Sequence, residues 1–410
     1  MTDRFDVAVA GAGPAGATAA LLFARRGYRV ALLDQARFPR DKACAEYMSP
    51  GVWETLSRLD LGKTILYCRP LAVRGMDIVS PRSEVLRLQY GSGSHAPRAL
   101  TLPRREFDAA LVQAAAESGV DVIQSTRVRA LRRDGEQVIG LDAATHGRSP
   151  RAIAARLVVI ADGARSHLTR ALGVARAPRW PVRLGLVAHY RGPAAWPSEF
   201  GQMHVARGGY CGVAPLPPVG GAEDTERLNV AMVVPLASVR QSGEPAGVFF
   251  DRWIDEHPWL RDLLSLYVRE GAVRGVGPIG ARSARVSVAG ALVVGDAAGF
   301  FDPFTGEGIY RALRGAEMAA EIGDQALCSG DVSSRALHAY DRERMRVFSR
   351  KEAVTALVQA FVQYPRLLDY AVPRLKLRPE PLAALSLVLG DIAEAGRFLR
   401  PSMLWRALRP

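Results

Sequence analysis

The chain has 410 residues, 49% of them hydrophobic and 23% charged, which is enough for a sizeable core and for two or three domains or one large α/β domain with an insertion. Its formal net charge of +13 suits anionic cofactors, acidic lipid surfaces or nucleic acid, but the basic residues are mostly Arg, spread out rather than run together, and nothing resembles a nucleic-acid module. The four cysteines, Cys44, Cys68, Cys211 and Cys328, show neither disulfide nor zinc spacing and point to a reducing, cytoplasmic setting.

Residues 5–10 are a short apolar run with β-branched Val7 and Val9, closed by glycine, and read as a strand. Gly11, Gly13 and Gly16 follow in the spacing G-x-G-x-x-G. The first allows a sharp turn, the second lets a pyrophosphate approach the backbone, and the third lets the next helix pack closely on the sheet. Pro14 and Ala15 open that helix, whose free N–H groups and positive dipole end face an anion. Residues 28–33 form the second strand, and Asp34, followed by Gln35, lies at its end, where a carboxylate accepts hydrogen bonds from ribose hydroxyls. The uncharged stretch 7–24 could pass for a membrane span or signal peptide. Its glycines, Pro14 and the acidic start at Asp3 and Asp6 argue against both.

Residues 35–51 are polar, bounded by prolines, and read as a loop crossing the bound nucleotide rather than a packed element; Arg37, Arg40 and Lys42 suit phosphate oxygens or plain solvent equally. A short helix is expected over 52–61, strands over 72–102, and a helix from about Arg104. Residues 156–161 form an apolar strand of the kind buried in a parallel sheet, ending in Asp162-Gly163. Residues 176–275 alternate apolar and polar between Gly and Pro clusters, as an inserted antiparallel sheet would. The buried strand 291–294 then runs into Gly295-Asp296, and a helix is expected over 308–326, its start suited to an anion. From residue 332 the chain reads as helical and basic, with Arg366, Arg374, Lys376, Arg397, Arg400 and Arg406 among leucines and Trp405. Such a face fits either a cap over a core or peripheral contact with the inner face of a membrane.

Taken together, the glycine fingerprint with Asp34, the Asp162-Gly163 segment with Ser166 and Arg170, and Gly295-Asp296 resemble the FAD-dependent para-hydroxybenzoate-hydroxylase-like superfamily. Phe38 to Cys44 (FPRDKAC) and Asp302 to Ile309 (DPFTGEGI) look like its geranylgeranyl-reductase branch, which includes menaquinone reductases. The resemblance implies an α/β fold with a glutathione-reductase-type FAD-binding Rossmann domain (residues 1–70, 100–175 and 280–330). It also implies a substrate domain (71–99 and 176–279) and a helical C-terminal region (331–410). FAD would be held by Gly11, Gly13, Pro14, Ala15, Gly16, Asp34, Gln35, Cys44, Ala45, Arg104, Asp162, Gly163, Gly295, Asp296, Gly306, Glu307, Gly308 and Ile309, with NAD(P)H as reductant.

Two departures stand out. Ala45 replaces the glycine that follows the cysteine in that branch, with Glu46 and Tyr47 after it, and the Y-x-W-x-F-P of those reductases is Tyr210 to Pro215 here, without the Trp and Phe. No W-x-W-x-I-P of the halogenases is present. These departures favour a monooxygenase, hydroxylating or epoxidising a hydrophobic aromatic, polyketide or isoprenoid molecule with dioxygen, behind a dry wall of Phe300, Phe301 and Phe304. The alternatives are reduction of an isoprenoid C=C bond, with Cys44, Glu46 or Tyr47 as proton donor, and a flavin-binding protein without turnover.

Overall fold

A computed structural model describes residues 3–145, 150–178, 182–196, 199–218, 225–300 and 302–409. The N-terminal strand Asp3–Ala10 runs parallel between Val30–Leu33 and Arg151–Ile160. Asp121–Ile123 extends the parallel set on one side and Ala291–Val293 on the other. Residues 7–10 and 157–160 are buried on both faces, which explains their unbroken apolar runs. Helix Pro14–Ala24 covers this sheet and packs against helices Arg104–Glu117 and Gly308–Ser329. A side chain at Gly323 would stand 2.7 Å from the Phe23 ring, so that helix contact depends on glycine.

A second sheet runs in the order Val268–Ile279, Arg183–Pro193, Thr225–Pro235, Gly209–Leu216, Phe200–Ala206, Gly75–Val79, Val85–Gln89. It is mixed, which corrects the antiparallel expectation: Phe200–Ala206 pairs with Gly75–Val79 in parallel. No tight turn joins those two strands, whereas the antiparallel pairs on either side are closed by short connections. Helices Leu236–Ser242, Ala246–Asp255 and Pro258–Leu264, absent from the sequence reading, lay Phe249, Phe250, Trp253 and Leu260 on Leu186, Val230 and Met232. In the second of these helices the signal was present: Phe249, Phe250, Trp253 and Ile254 recur at helical spacing on one buried face, and the alternating strands on either side masked it.

Residues 35–51 do not form a loop throughout. Tyr47–Met48 is a buried strand on Ala99–Thr101, which pairs in turn with Leu71–Val73, and the next helix starts at Pro50. The backbone hydrogen bonds of this three-stranded sheet are supplied by segments distant in sequence, so no local pattern announces it. Towards the C-terminus, helices Ser334–Gln363, Pro365–Lys376, Pro379–Leu389 and Ala395–Phe398 place Val354, Leu368, Val372, Leu385 and Phe398 against Ile78, Leu88, Met203, Tyr210 and Phe304. This apolar face therefore covers one side of the second sheet. Among the described residues no helix is long and apolar enough to cross a membrane.

Candidate functional site

The three glycine-bearing turns leave adjacent parallel strands at the same edge, where α/β sheets bind ligands. They touch. Gly11 has φ +103°, and a Cβ there would stand 2.4 Å from the Ala161 carbonyl oxygen, next to Asp162. Gly295 has φ +61°, and its Cβ would lie 2.8 Å from the Ala15 methyl. Any larger residue at either position would push the turns apart.

Asp34 is fixed by its own turn. Oδ2 accepts the Ala12 N–H and Oδ1 the Ala36 N–H, both at 2.8 Å, leaving lone pairs free for a ribose. Gln35 beside it is exposed. In front of Gly13 the nearest atom to an added Cβ is Arg40 Nη2, at 3.8 Å. That guanidinium pairs with Asp108 at 3.0 Å, and its Nη1 is buried without a hydrogen-bond partner among the described residues. Arg104 grips the same fully buried Asp108 with two bonds of 2.7 Å. Burial raises the Asp296 carboxyl above its ordinary range, with Arg104, Lys42 and Arg311 pulling it back. Asp162 Oδ1 is also buried and has no hydrogen-bond partner among the described residues, and burial pushes that carboxyl up. Ser166 and Arg170 shape the turn instead of facing the cleft. The Ser166 hydroxyl caps helix His167–Ala171, and Arg170 donates to the carbonyls of Ser166 and Arg165. An orphaned guanidinium nitrogen, an orphaned carboxylate oxygen, a cradle bare of side chains and a ribose-ready acid together fit a dinucleotide carrying a diphosphate.

Cys44 lies at the next stage of the cleft. Burial pushes its thiol up and Arg104, hydrogen-bonded to it, works the other way. The net rise keeps the proton on sulfur at neutral pH. Ala45 and Tyr47 then line an apolar cavity of about 40 Å³ with Met76, Leu88, Met203 and Phe304. Tyr47 reaches past it to the Gly75 carbonyl at 3.2 Å and the Tyr90 hydroxyl at 3.0 Å. Gly306, at φ +69°, packs on the Tyr47 ring, and Phe300 lies beside Gly308. Phe301 lies outside the described residues.

Three expectations change here. Glu46 is not arranged as a proton donor: Oε1 accepts the Arg104 N–H at 2.8 Å, and Oε2 accepts His189 Nε2–H at 2.7 Å and Asn229 Nδ2–H at 3.0 Å. Arg227 donates to His189 Nδ1, which fixes the ring tautomer, and Asn229 also holds the Cys44 carbonyl. A carboxylate surrounded by donors is a tether, and this one ties the Cys44 loop to the second sheet. The Glu307 side chain lies among Arg311, Lys351 and Asp391 rather than free in the cleft, and Ile309 is part of the core. Of residues 307–309, the helix-start backbone is what remains for a cofactor.

Sequence reasoning missed His189, Asn229 and Arg227. The one available signal was a polar residue inside an otherwise apolar strand, as in Val187-Ala188-His189 and Leu228-Asn229-Val230. It also missed buried Asp302. This residue accepts from Arg183 at 2.8 Å, Gln359 at 2.7 Å and Tyr210, and so joins the second sheet, the turn before Gly306 and the C-terminal helices.

Residues 4–195 match the FAD binding domain family. The chain is 30% identical over 345 residues to the digeranylgeranylglycerophospholipid reductase of Methanosarcina mazei, covering 81% of this chain and 78% of that protein. It is 26% identical over 409 residues to the menaquinone reductase of Mycolicibacterium smegmatis, covering 96% and 93%. A solved flavin-dependent brominase shares the fold at a TM-score of 0.80 with 20% identity, covering 98% of each chain. Fold and cleft define an FAD-dependent oxidoreductase. The chain belongs to the para-hydroxybenzoate-hydroxylase-like superfamily, in the branch that includes the geranylgeranyl reductases.

Proposed function

We propose that this protein reduces an isolated C=C bond of an apolar isoprenoid, taking electrons from NAD(P)H, with Cys44 as the proton donor. The observation that carries the reading is that the Cys44 thiol lies against Arg104, whose charge also acts on Asp296, while the next residue, Ala45, lines the apolar cavity. The named activities of the two relatives, an isoprenoid-lipid reductase and a menaquinone reductase, point the same way.

FAD, bound in the glutathione-reductase manner and reduced, would supply the hydride. Asp34 would hold the ribose, while Arg40 and Arg104 would offset phosphate charge across Asp108. Asp296 would hold the ribityl hydroxyls. Met76, Leu88, Met203 and Phe304 exclude water from the alkene. Cys44 would give its Sγ proton to the alkene carbon opposite the one reduced, and Arg104 would stabilise the thiolate until solvent reprotonates it. The second reading is a monooxygenase, favoured by the phenyl ring of Phe304 in the cavity wall and by Ala45 in place of glycine.

An anaerobic assay separates the two. With NAD(P)H and polyprenyl quinones or geranylgeranyl lipids, a reductase continues to turn over without dioxygen. A monooxygenase stops after a single reduction of its flavin and needs oxygen to form product. Cys44→Ser should retain FAD while slowing the reductase about 100-fold or more. Full anaerobic turnover by that variant would remove Cys44 from the mechanism.

A further inference from the structure

Far along the C-terminal region the chain brings like charges together without an internal partner. Arg350, from helix Ser334–Gln363, meets Arg397 and Arg400, from the segment after Asp391, around a cavity of about 510 Å³. Glu394, Gly396 and Leu399 complete its lining. Arg350 lies over Gly396, where an added Cβ would stand 3.2 Å from Nη1, so a side chain there would press on the guanidinium. Other arginines of this region are spent internally: Arg406 on Glu380, Arg346 on Glu343, and Arg378 on the carbonyls of Ala407 and Arg409. Among the described residues, none gives the side chains of Arg350, Arg397 or Arg400 a hydrogen bond or ion pair.

Three guanidiniums beside a single carboxylate repel one another, and an anion between them relieves that repulsion. Guanidinium forks match phosphate oxygens two at a time, which no monovalent halide can use. The cavity is too polar for an isoprenoid chain, yet Leu399 at its edge packs on the apolar cluster that contains Phe304, Met203 and Leu88. Trp405, 65% exposed, follows shortly after Arg400 and suits the water–lipid boundary.

We propose that Arg350, Arg397 and Arg400 form a binding site for a phosphate group, carried either by a lipid headgroup or by a small soluble phosphate. The site is independent of the reaction proposed above, because binding is read without turnover.

The test uses the full chain loaded with FAD. Co-sedimentation with phosphatidylglycerol vesicles, against phosphatidylcholine vesicles, probes the headgroup source, and calorimetric titration with inorganic phosphate probes the soluble one. Arg350→Gln/Arg397→Gln is compared with Arg335→Gln/Arg342→Gln, which removes two exposed charges from the same long helix. Wild-type protein should bind at least one probe. The first pair should weaken that binding about tenfold or more, and the second less than about twofold. Vesicle binding alone identifies a headgroup, phosphate binding alone a soluble ligand, and competition between the two a shared site. Equal losses in the two pairs, or no binding of either probe by wild type, would overturn the proposal.

Discussion

Glu307 gives a quantitative test of the electrostatics beside the cofactor turn. Its carboxylate is buried, 3.6 Å from Arg311 and 3.7 Å from Lys351, too far for a good hydrogen bond, and Oε2 has no hydrogen-bond partner among the described residues. Burial pushes this acid from 4.5 up to about 7; Lys351 and Arg311 oppose the rise, and Asp391 and Glu352 add to it. The unfolded chain therefore ionises Glu307 near its ordinary value, while the folded protein delays ionisation until near neutrality. The stability it contributes is intact below the unfolded value and is lost as pH rises through the folded one.

Glu307→Gln keeps the neutral form at every pH. The variant should gain about 3 kcal/mol over wild type at pH 8 and about 1 kcal/mol at pH 5.5, so the gap narrows by about 2 kcal/mol on acidification. Urea unfolding of both proteins at the same excess of FAD, at the two pH values, measures that gap, provided their FAD affinities are matched or corrected for. A gap of the same size at both pH values would show that Glu307 does not titrate in this window.

Gly11→Ala would force a methyl to within 2.4 Å of the Ala161 oxygen at a backbone angle that suits glycine, and should yield protein unable to retain FAD, read from its absorbance after gel filtration. Glu46→Gln replaces a charge-assisted acceptor of His189 and Asn229 and should cost about 1.5–3 kcal/mol in urea unfolding. The loss should be non-additive with His189→Phe, because one network is cut twice. Arg183→Met leaves Asp302 buried without its cation and should destabilise by about 3–5 kcal/mol in the same assay, more than Arg191→Met on the exposed side of that strand.

The nucleotide half of this protein was legible because its signals are local. A strand, Gly11 to Gly16, a helix and Asp34 occupy one short βαβ stretch, and each residue there acts through the backbone or through a turn next to itself. Even the meeting of that turn with Asp162 and Gly295 follows from short parallel strands placed side by side. The element boundaries moved by a few residues, and the loop through residue 47 proved to include a strand, since its pairing partner lies more than 50 residues away.

The chain alone determined the class of cofactor and the edge of the sheet that holds it. Tertiary structure decided what the side chains around the chemistry do. Glu46 meets His189 across 143 residues, Arg183 meets Asp302 across 119, and Glu307 finds Lys351 only once the C-terminal helices fold back over the turn. A carboxylate's role depends on which donors surround it. No spacing along the sequence specifies donors brought in from another domain, so Glu46 and Glu307 read as candidate cofactor or catalytic groups until the folded chain supplied their partners.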